Sequence, residues 1–178
     1  MTLSVLQAGN QIDTLIEVLA KARAQGGRVA FDTNYRPAGW DSTESARAVF
    51  RNILDHVDVA LVTLEDEQAL YGDDDESSCA RRLHAAGVSE VVVKLGASGC
   101  FVSAHCVHRH IPVVPNPHPV DTTAAGDAFN AAYLACRLIG GEPETAAQRG
   151  NGLAAEVIRY RGAVIAADDM PDVFGSPR

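Results

Sequence analysis

Apolar positions recur with two different periods along the chain, and the switches between them lay out its elements. Ile12, Leu15, Ile16 and Leu19 fall on one helical stripe, which Gly26 and Gly27 bring to an end. Residues 28–32 then read as a short buried strand. Asp41, with Glu44 three residues later, resembles a capping box, and the helix it would open buries Ala46, Val49, Phe50, Ile53 and Leu54. Residues 58–62 are the next strand. Thr63 is placed to cap a short helix, Leu64–Tyr71, that Gly72 ends. The acidic run at 73–76 reads as a solvated turn into a helix around residues 79–86, stopped by Gly87. Glu90–Lys94 has a continuous apolar centre and reads as a strand. A glycine turn follows, then a hairpin of residues 100–102 and 106–111. The prolines at 112, 115, 117 and 119 exclude helix there and allow at most an edge strand. Beyond Asp127 a helix runs to about Ile139 and is closed by Gly140-Gly141. Pro143 opens a last long helix with Ala147, Gly150, Ala154 and Val157 near one face. Residues 1–9 have no clear period, and the segment after Ala167 reads as a loosely attached tail.

Helix and strand alternate through residue 94, which predicts an α/β fold: a mainly parallel sheet flanked by helices, with the antiparallel hairpin at one edge. No internal repeat is visible. The chain has 178 residues, enough for one compact domain, and 47% of them are hydrophobic, enough for a core. A formal charge of -8 argues against a nucleic-acid or anionic-membrane partner. Gln7, Asn10, Gln11 and Asp13 interrupt the apolar positions near the start, so nothing resembles a signal peptide. No apolar run approaches the roughly 20 residues of a membrane span. The expectation is a cytoplasmic protein. Cys79, Cys100, Cys106 and Cys136 form no C-x-x-C pair and are expected to be reduced thiols. Cys106 lies among His105, His108 and His110, but alternation on a short hairpin explains that cluster without a metal.

Two stretches carry candidate chemistry. The first is residues 120–129, where small residues and Gly126 stand just before a helix. Free N–H groups and the positive end of the dipole suit an anion at such a place. Asp127 sits in the first turn. It either complements the dipole or takes a proton from a hydroxyl while the N–H groups hold phosphoryl charge. The second is the aperiodic stretch at 32–40, with Pro37 and Gly39, just past the end of a strand. Open α/β sheets place ligand loops there, and Arg36 could grip a carboxylate or phosphate with two parallel hydrogen bonds. An ordinary surface loop with Tyr35 and Trp40 tucked onto the core accounts for the same composition equally well. The turn Lys94-Leu95-Gly96-Ala97-Ser98-Gly99 is weak evidence by itself and is not a P-loop.

The run Asp121-Thr122-Thr123-Ala124-Ala125-Gly126-Asp127 resembles the second signature of the PfkB (ribokinase-like) carbohydrate kinases, Asp-Thr-x-Gly-Ala-Gly-Asp, with Ala124 at the first glycine. Residues 32–40 resemble the Asp-Pro-Asn-Tyr-Arg-x-x-Leu-Trp segment of the 2-keto-3-deoxygluconate kinases within that family, with Thr33 at the proline and Gly39 at the leucine. The resemblance implies a ribokinase-like fold and transfer of the ATP γ-phosphate to a sugar hydroxyl. Asp127 would be the base, and the N–H groups of Ala124, Ala125, Gly126 and Asp127 the anion hole. Arg36, with Asn34 and Tyr35, would hold the sugar acid. Lys94, Gly96 and Gly99 match the family's Lys-x-Gly-x-x-Gly turn beside the ATP phosphates. Thr123, Asn151 and Gly162, with Arg161 and Ala163, would border the nucleotide. Counting back from Gly72 puts Thr63 and Asp66 at the family's Asn-x-x-Glu, which helps organise Mg²⁺. Asp66 keeps a carboxylate there and Thr63 does not keep the amide. Otherwise Asp66, with Glu65 and Glu67, reads as a solvated helix face.

The resemblance covers nearly the whole chain but only the C-terminal part of the family. The expectation is therefore a fold lacking the family's N-terminal portion and lid, with residues 1–170 as the nucleotide-binding and catalytic part and 171–178 as tail. Exposed edges would invite self-association or a partner segment. Two alternatives stay open. One is a nucleotide-binding or interaction domain without independent activity. The other is a kinase for a neutral sugar such as ribose or fructose, against which Arg36 speaks.

Overall fold

The computed structural model describes residues 11–113, 118–166, 168, 170 and 171. Its elements are helix α1 (Gln11–Ala24), strand β1 (Ala30–Phe31), α2 (Thr43–Leu54), β2 (Val59–Thr63), α3 (Leu64–Tyr71), α4 (Glu76–Ala85), β3 (Glu90–Lys94), β4 (Cys100–Ala104), β5 (Val107–Ile111), α5 (Ala125–Leu138) and α6 (Pro143–Val157). The strands form one mixed sheet in the order β1-β2-β3-β4-β5. β1 and β2 are parallel, as are β2 and β3, with Val59 opposite Glu90 and Thr63 opposite Lys94. A two-residue turn at His105 and Cys106, with His105 at φ 49°, joins β4 to β5 as a hairpin. Among the described residues no helix is long and apolar enough to cross a membrane.

The chain divides into two compact units: residues 1–94 with 103–106, and residues 95–102 with 107–178. In the first, β2 and β3 are buried along nearly their whole length, as the unbroken apolar runs at 59–62 and 91–93 require. Helix α2 buries Phe50, Ile53 and Leu54, and α4, packed on β3, buries Leu83. Phe50 is flanked edge-on by Phe31 at 5.8 Å and by Trp40 at 5.1 Å. In the second, α5 packs on α6. Ala132, Leu153, Val157 and Ile165 form its core, and a Cβ at Gly150 would come within 2.8 Å of the Phe129 ring. Gly150 is there because the two helices touch, as close helix packing predicts.

Several sequence expectations shift. β1 is shorter than residues 28–32, because the Val29 carbonyl gathers the N–H groups of Asp58 and Val59 while Val29 N–H donates to the Asp58 carboxylate. The capping box belongs to Ser42 and Ser45, one residue beyond Asp41 and Glu44; Ser42 Oγ accepts from Ser45 N–H at 3.1 Å and Ser45 Oγ from Ser42 N–H at 3.2 Å. Thr63 occupies the cap position of α3, but its hydroxyl makes no capping bond. The hairpin strands extend to Ala104 and begin at Val107. The proline-rich segment at 114–117 and the stretches at 1–10 and 172–178 lie outside the described residues.

Candidate active site

The turn after β1 is tied down by several polar contacts. Asp32 follows the strand, and its Oδ2 accepts from the buried Lys94 Nζ at 2.6 Å while its Oδ1 accepts from Asn34 N–H at 3.1 Å. Asn34 sits at φ 39°, a left-handed conformation that asparagine tolerates better than most side chains. Thr33 and Tyr35 are buried, and the Tyr35 hydroxyl lies 3.3 Å from Thr43 Oγ1. Tyr35 and Trp40 are thus tucked onto the core, while Arg36 remains more than half exposed. Its Nη1 donates to the Tyr35 carbonyl at 2.7 Å and to both Asp66 oxygens at 3.2 Å. The structure therefore brings the candidate carboxylate grip, Arg36, against the candidate metal residue, Asp66. Burial raises the Asp66 carboxyl above its ordinary range, with Arg36 pulling the other way.

One sequence reading put Glu67 on a solvated face with Glu65 and Asp66, and residues 73–76 read as a solvated turn. The turn is there with Asp74 and Asp75 exposed, but Glu67 and Asp73 depart from these readings. Glu67 is fully buried, one turn before the buried Leu70 on the inward side of α3. Its Oε1 accepts from Thr33 Oγ1 and its Oε2 from Arg82 Nη2, each at 2.6 Å. Asp73 leaves the acidic run to take Arg82 Nη2 at 2.6 Å and Nε at 3.0 Å. Asp75, the next-but-one acid, caps α4 by accepting from Ser78 N–H at 2.7 Å. Glu67, Asp73 and Cys79 place ligand-type atoms within 4.8 Å of one another, yet the cation they share is the Arg82 guanidinium. Arg82 also stacks on Tyr71 at 3.9 Å from the ring centre. Burial pushes the Glu67 carboxyl up against the pull of Thr33 and Arg82, and pushes the Tyr71 phenol up to about 12.

The second unit holds the helix start. Ala124 precedes α5 at φ 62°, and Ala125 N–H turns back onto the Thr122 carbonyl at 3.2 Å. The N–H groups of Gly126 and Asp127 belong to the first turn and point ahead of the helix. The Asp127 side chain is exposed there. Asp121 organises the turn: one oxygen accepts from Thr123 N–H and the other from Gly162 N–H, both at 2.9 Å. Hydrogen bonding from the Thr123 hydroxyl, followed by the Gly162 and Thr123 N–H groups, holds the Asp121 carboxyl down at about 2. The N–H groups of Val120 and Asp121 both reach the Ile158 carbonyl beyond α6. Residues 121–127 and the segment at 161–163 are therefore joined, as a shared nucleotide edge would need.

In the same unit, Gly96 and Gly99 shape a tight turn in which Leu95 N–H donates to the Gly99 carbonyl at 2.8 Å. A Cβ at Gly99 would fall 2.2 Å from the Ile111 carbonyl, so only glycine fits. Asn151 is buried, and its amide donates to the Ile111 carbonyl at 3.0 Å and the Pro112 carbonyl at 3.3 Å. Its side chain braces the end of β5. Of the candidate residues, Asn34, Tyr35, Arg36, Asp66 and Lys94 lie in the first unit, and Gly96, Gly99, Thr123 to Asp127, Asn151 and Gly162 in the second.

The pattern of the pfkB family carbohydrate kinases matches residues 4–170. The chain belongs to that family. The 2-dehydro-3-deoxygluconokinase of Escherichia coli strain K12 is 48% identical over 162 residues, which cover 89% of this chain and 52% of that protein. The enzyme of the same name from Dickeya dadantii is 46% identical over 160 residues, 88% of this chain and 52% of its own. The chain spans about half the length of the curated relatives it matches. Among solved structures, a ribokinase-II-type protein of E. coli in complex with ATP and Mg²⁺ superposes with a TM-score of 0.79 at 27% identity, over 90% of this chain and 51% of that one. The fold is ribokinase-like. For a pfkB kinase, the left-handed Ala124 stands where the family signature has glycine, and the Cβ there costs about 1 kcal/mol.

Proposed function

We propose that residues 1–170 are the nucleotide-binding and catalytic part of a kinase that moves the γ-phosphoryl group of ATP to a hydroxyl of 2-keto-3-deoxygluconate. The observation that carries this reading is the 48% identity to 2-dehydro-3-deoxygluconokinase across 89% of the chain. The exposed Asp127 in the first turn of α5 supports it. In this reading Asp127 takes the proton of the attacking hydroxyl as the new oxygen–phosphorus bond forms. The bond from the γ-phosphorus to the bridging oxygen breaks, and ADP leaves with that electron pair. The turn at Ala124 and Ala125 aims the N–H groups of Gly126 and Asp127 at the charge on the phosphoryl oxygens. Gly96 and Gly99 let backbone approach the phosphates, and Thr123 with Gly162 borders the nucleotide. Lys94 and Asn151 serve the frame, Lys94 through Asp32 and Asn151 through the end of β5.

Arg36 selects an acid substrate, with Asn34 and Tyr35 shaping its turn. Asp66 would hold Mg²⁺ with the one carboxylate that Arg36 otherwise meets, and Mg²⁺ commonly takes only one or two from a protein, so the donor type fits. Mg²⁺, when bound, would neutralise charge developing on the phosphates. A cytoplasmic setting, where ATP is held, goes with this reading.

A second reading is nucleotide binding without independent turnover. Calorimetry with ATP and transfer of label from γ-labelled ATP to 2-keto-3-deoxygluconate separate the two. Binding with transfer supports the kinase, and binding without transfer supports the second reading. Preferential labelling of ribose or fructose would remove Arg36 from substrate choice.

A further inference from the structure

The polar network around Glu67 has no part in the chemistry above, and it is an expensive thing to bury. A fully buried carboxylate loses its hydration and persists only with partners of good geometry. Arg82 meets the charge from one side at 2.6 Å. The other oxygen is left for one uncharged group, the hydroxyl of Thr33, also at 2.6 Å. An acid needed only to balance Arg82 had Asp73 already in place. The Thr33 bond does something different: it crosses from α3 to the turn after β1, 34 residues away in sequence.

That turn needs holding. Asn34 is in a left-handed conformation, and the side chain of Arg36 is more than half exposed. The backbone of residues 33–36 helps set where the guanidinium points, since it carries the Tyr35 carbonyl that the guanidinium donates to beside Asp66. Asp32 fixes the start of that backbone through Lys94 and Asn34 N–H. Thr33 is the next anchor, and its strength comes from the charge it donates to, since hydrogen bonds to ionised acceptors are about twice as strong as neutral ones.

We infer that Glu67 is a positioning residue, which through the Thr33 hydroxyl fixes the turn that aims Arg36 at the carboxylate of its ligand. Arg82 meets the Glu67 carboxylate directly, and its bonds to Asp73 hold the guanidinium in register. The role of Arg36 in this statement rests on the proposed function; the fixing of the turn does not.

The test uses the full chain. Thr33→Val removes the hydroxyl and keeps the shape, so the fold survives where Glu67→Ala risks losing it. Amide hydrogen exchange is read on the peptide covering residues 33–36 and, as reference, on α2 and β2. The expected result is exchange about tenfold faster in the turn alone, the equivalent of one hydrogen bond to a charged group. Thr33→Ser, which restores the hydroxyl, should restore protection. Calorimetry with 2-keto-3-deoxygluconate and with ATP is run alongside. Affinity for the sugar acid should fall by a similar factor in Thr33→Val, and affinity for ATP should hold. Unchanged exchange in the turn, or equal loosening of α2 and β2, overturns the inference. A loosened turn in a chain whose wild type never binds the sugar acid upholds the positioning role and discards the substrate reading instead.

Discussion

The turn after β1 and the turn before α5 carry the two parts of the proposed chemistry, and they are held in opposite ways. The first is pinned by two buried ion networks, Lys94–Asp32 and Arg82–Glu67–Asp73, and flanked by Phe31 and Trp40 on Phe50. The second is half-buried to exposed, and the surface carboxylate of Asp121, with backbone bonds to Ile158, ties it together. The difference follows from what each must aim. A recognition arginine is a long side chain with no fixed direction, so the backbone beneath it has to be rigid. An anion site made of backbone N–H groups is aimed by the helix itself and needs little support.

The contrast can be broken at either end. The largest effect is expected from Glu67→Ala, which strips Arg82 and Thr33 of a buried partner. Stability should fall by about 3 kcal/mol in urea unfolding, and a loss under about 1 kcal/mol would mean the network is not holding the first unit. Arg36→Ala should leave stability unchanged, because the side chain is exposed and its pair with Asp66 is at the surface. Its affinity for the sugar acid should drop about thirtyfold by calorimetry, with ATP affinity kept. In the second unit the sign reverses. Ala124→Gly removes a Cβ from a left-handed position and should raise stability by about 1 kcal/mol, read as a higher Tm. The smallest effect is the acid response of Asp121. Its folded pKa of about 2 lies below its ordinary 3.8, so its contribution is present above that value and is lost as pH falls through about 2. The Thr123 and Gly162 amide signals should titrate together near that lower pH.

The sequence reading did best where hydrophobic runs meet strong breakers. Leu64–Tyr71 with Gly72, Glu90–Lys94 and the helix opened by Pro143 were all legible, since apolar period and stop signal agree there. It slipped where two local solutions compete. The stretch Asp41-Ser42-Thr43-Glu44-Ser45 offers overlapping caps, and the choice of Ser42 depends on where α2 starts. The Glu67 network was missed because each member is an ordinary polar residue in its own segment. One signal was available: Glu67 stands three residues before Leu70, on the face of α3 that an amphipathic reading turns inward. Its partners Thr33 and Arg82 are distant in sequence, and no periodicity links them. The small residues and Gly126 before the helix already marked the start near Asp127. Why Ala124 is a compromise at its position became clear only from its φ of 62°.

Transfer of label from γ-labelled ATP to 2-keto-3-deoxygluconate by the wild-type chain and by Asp127→Asn tests the central claim most directly. The account predicts transfer by the wild type and a rate about a thousandfold lower in the variant, with ATP affinity unchanged. No transfer by the wild type, or a variant within about tenfold of it, would contradict the account.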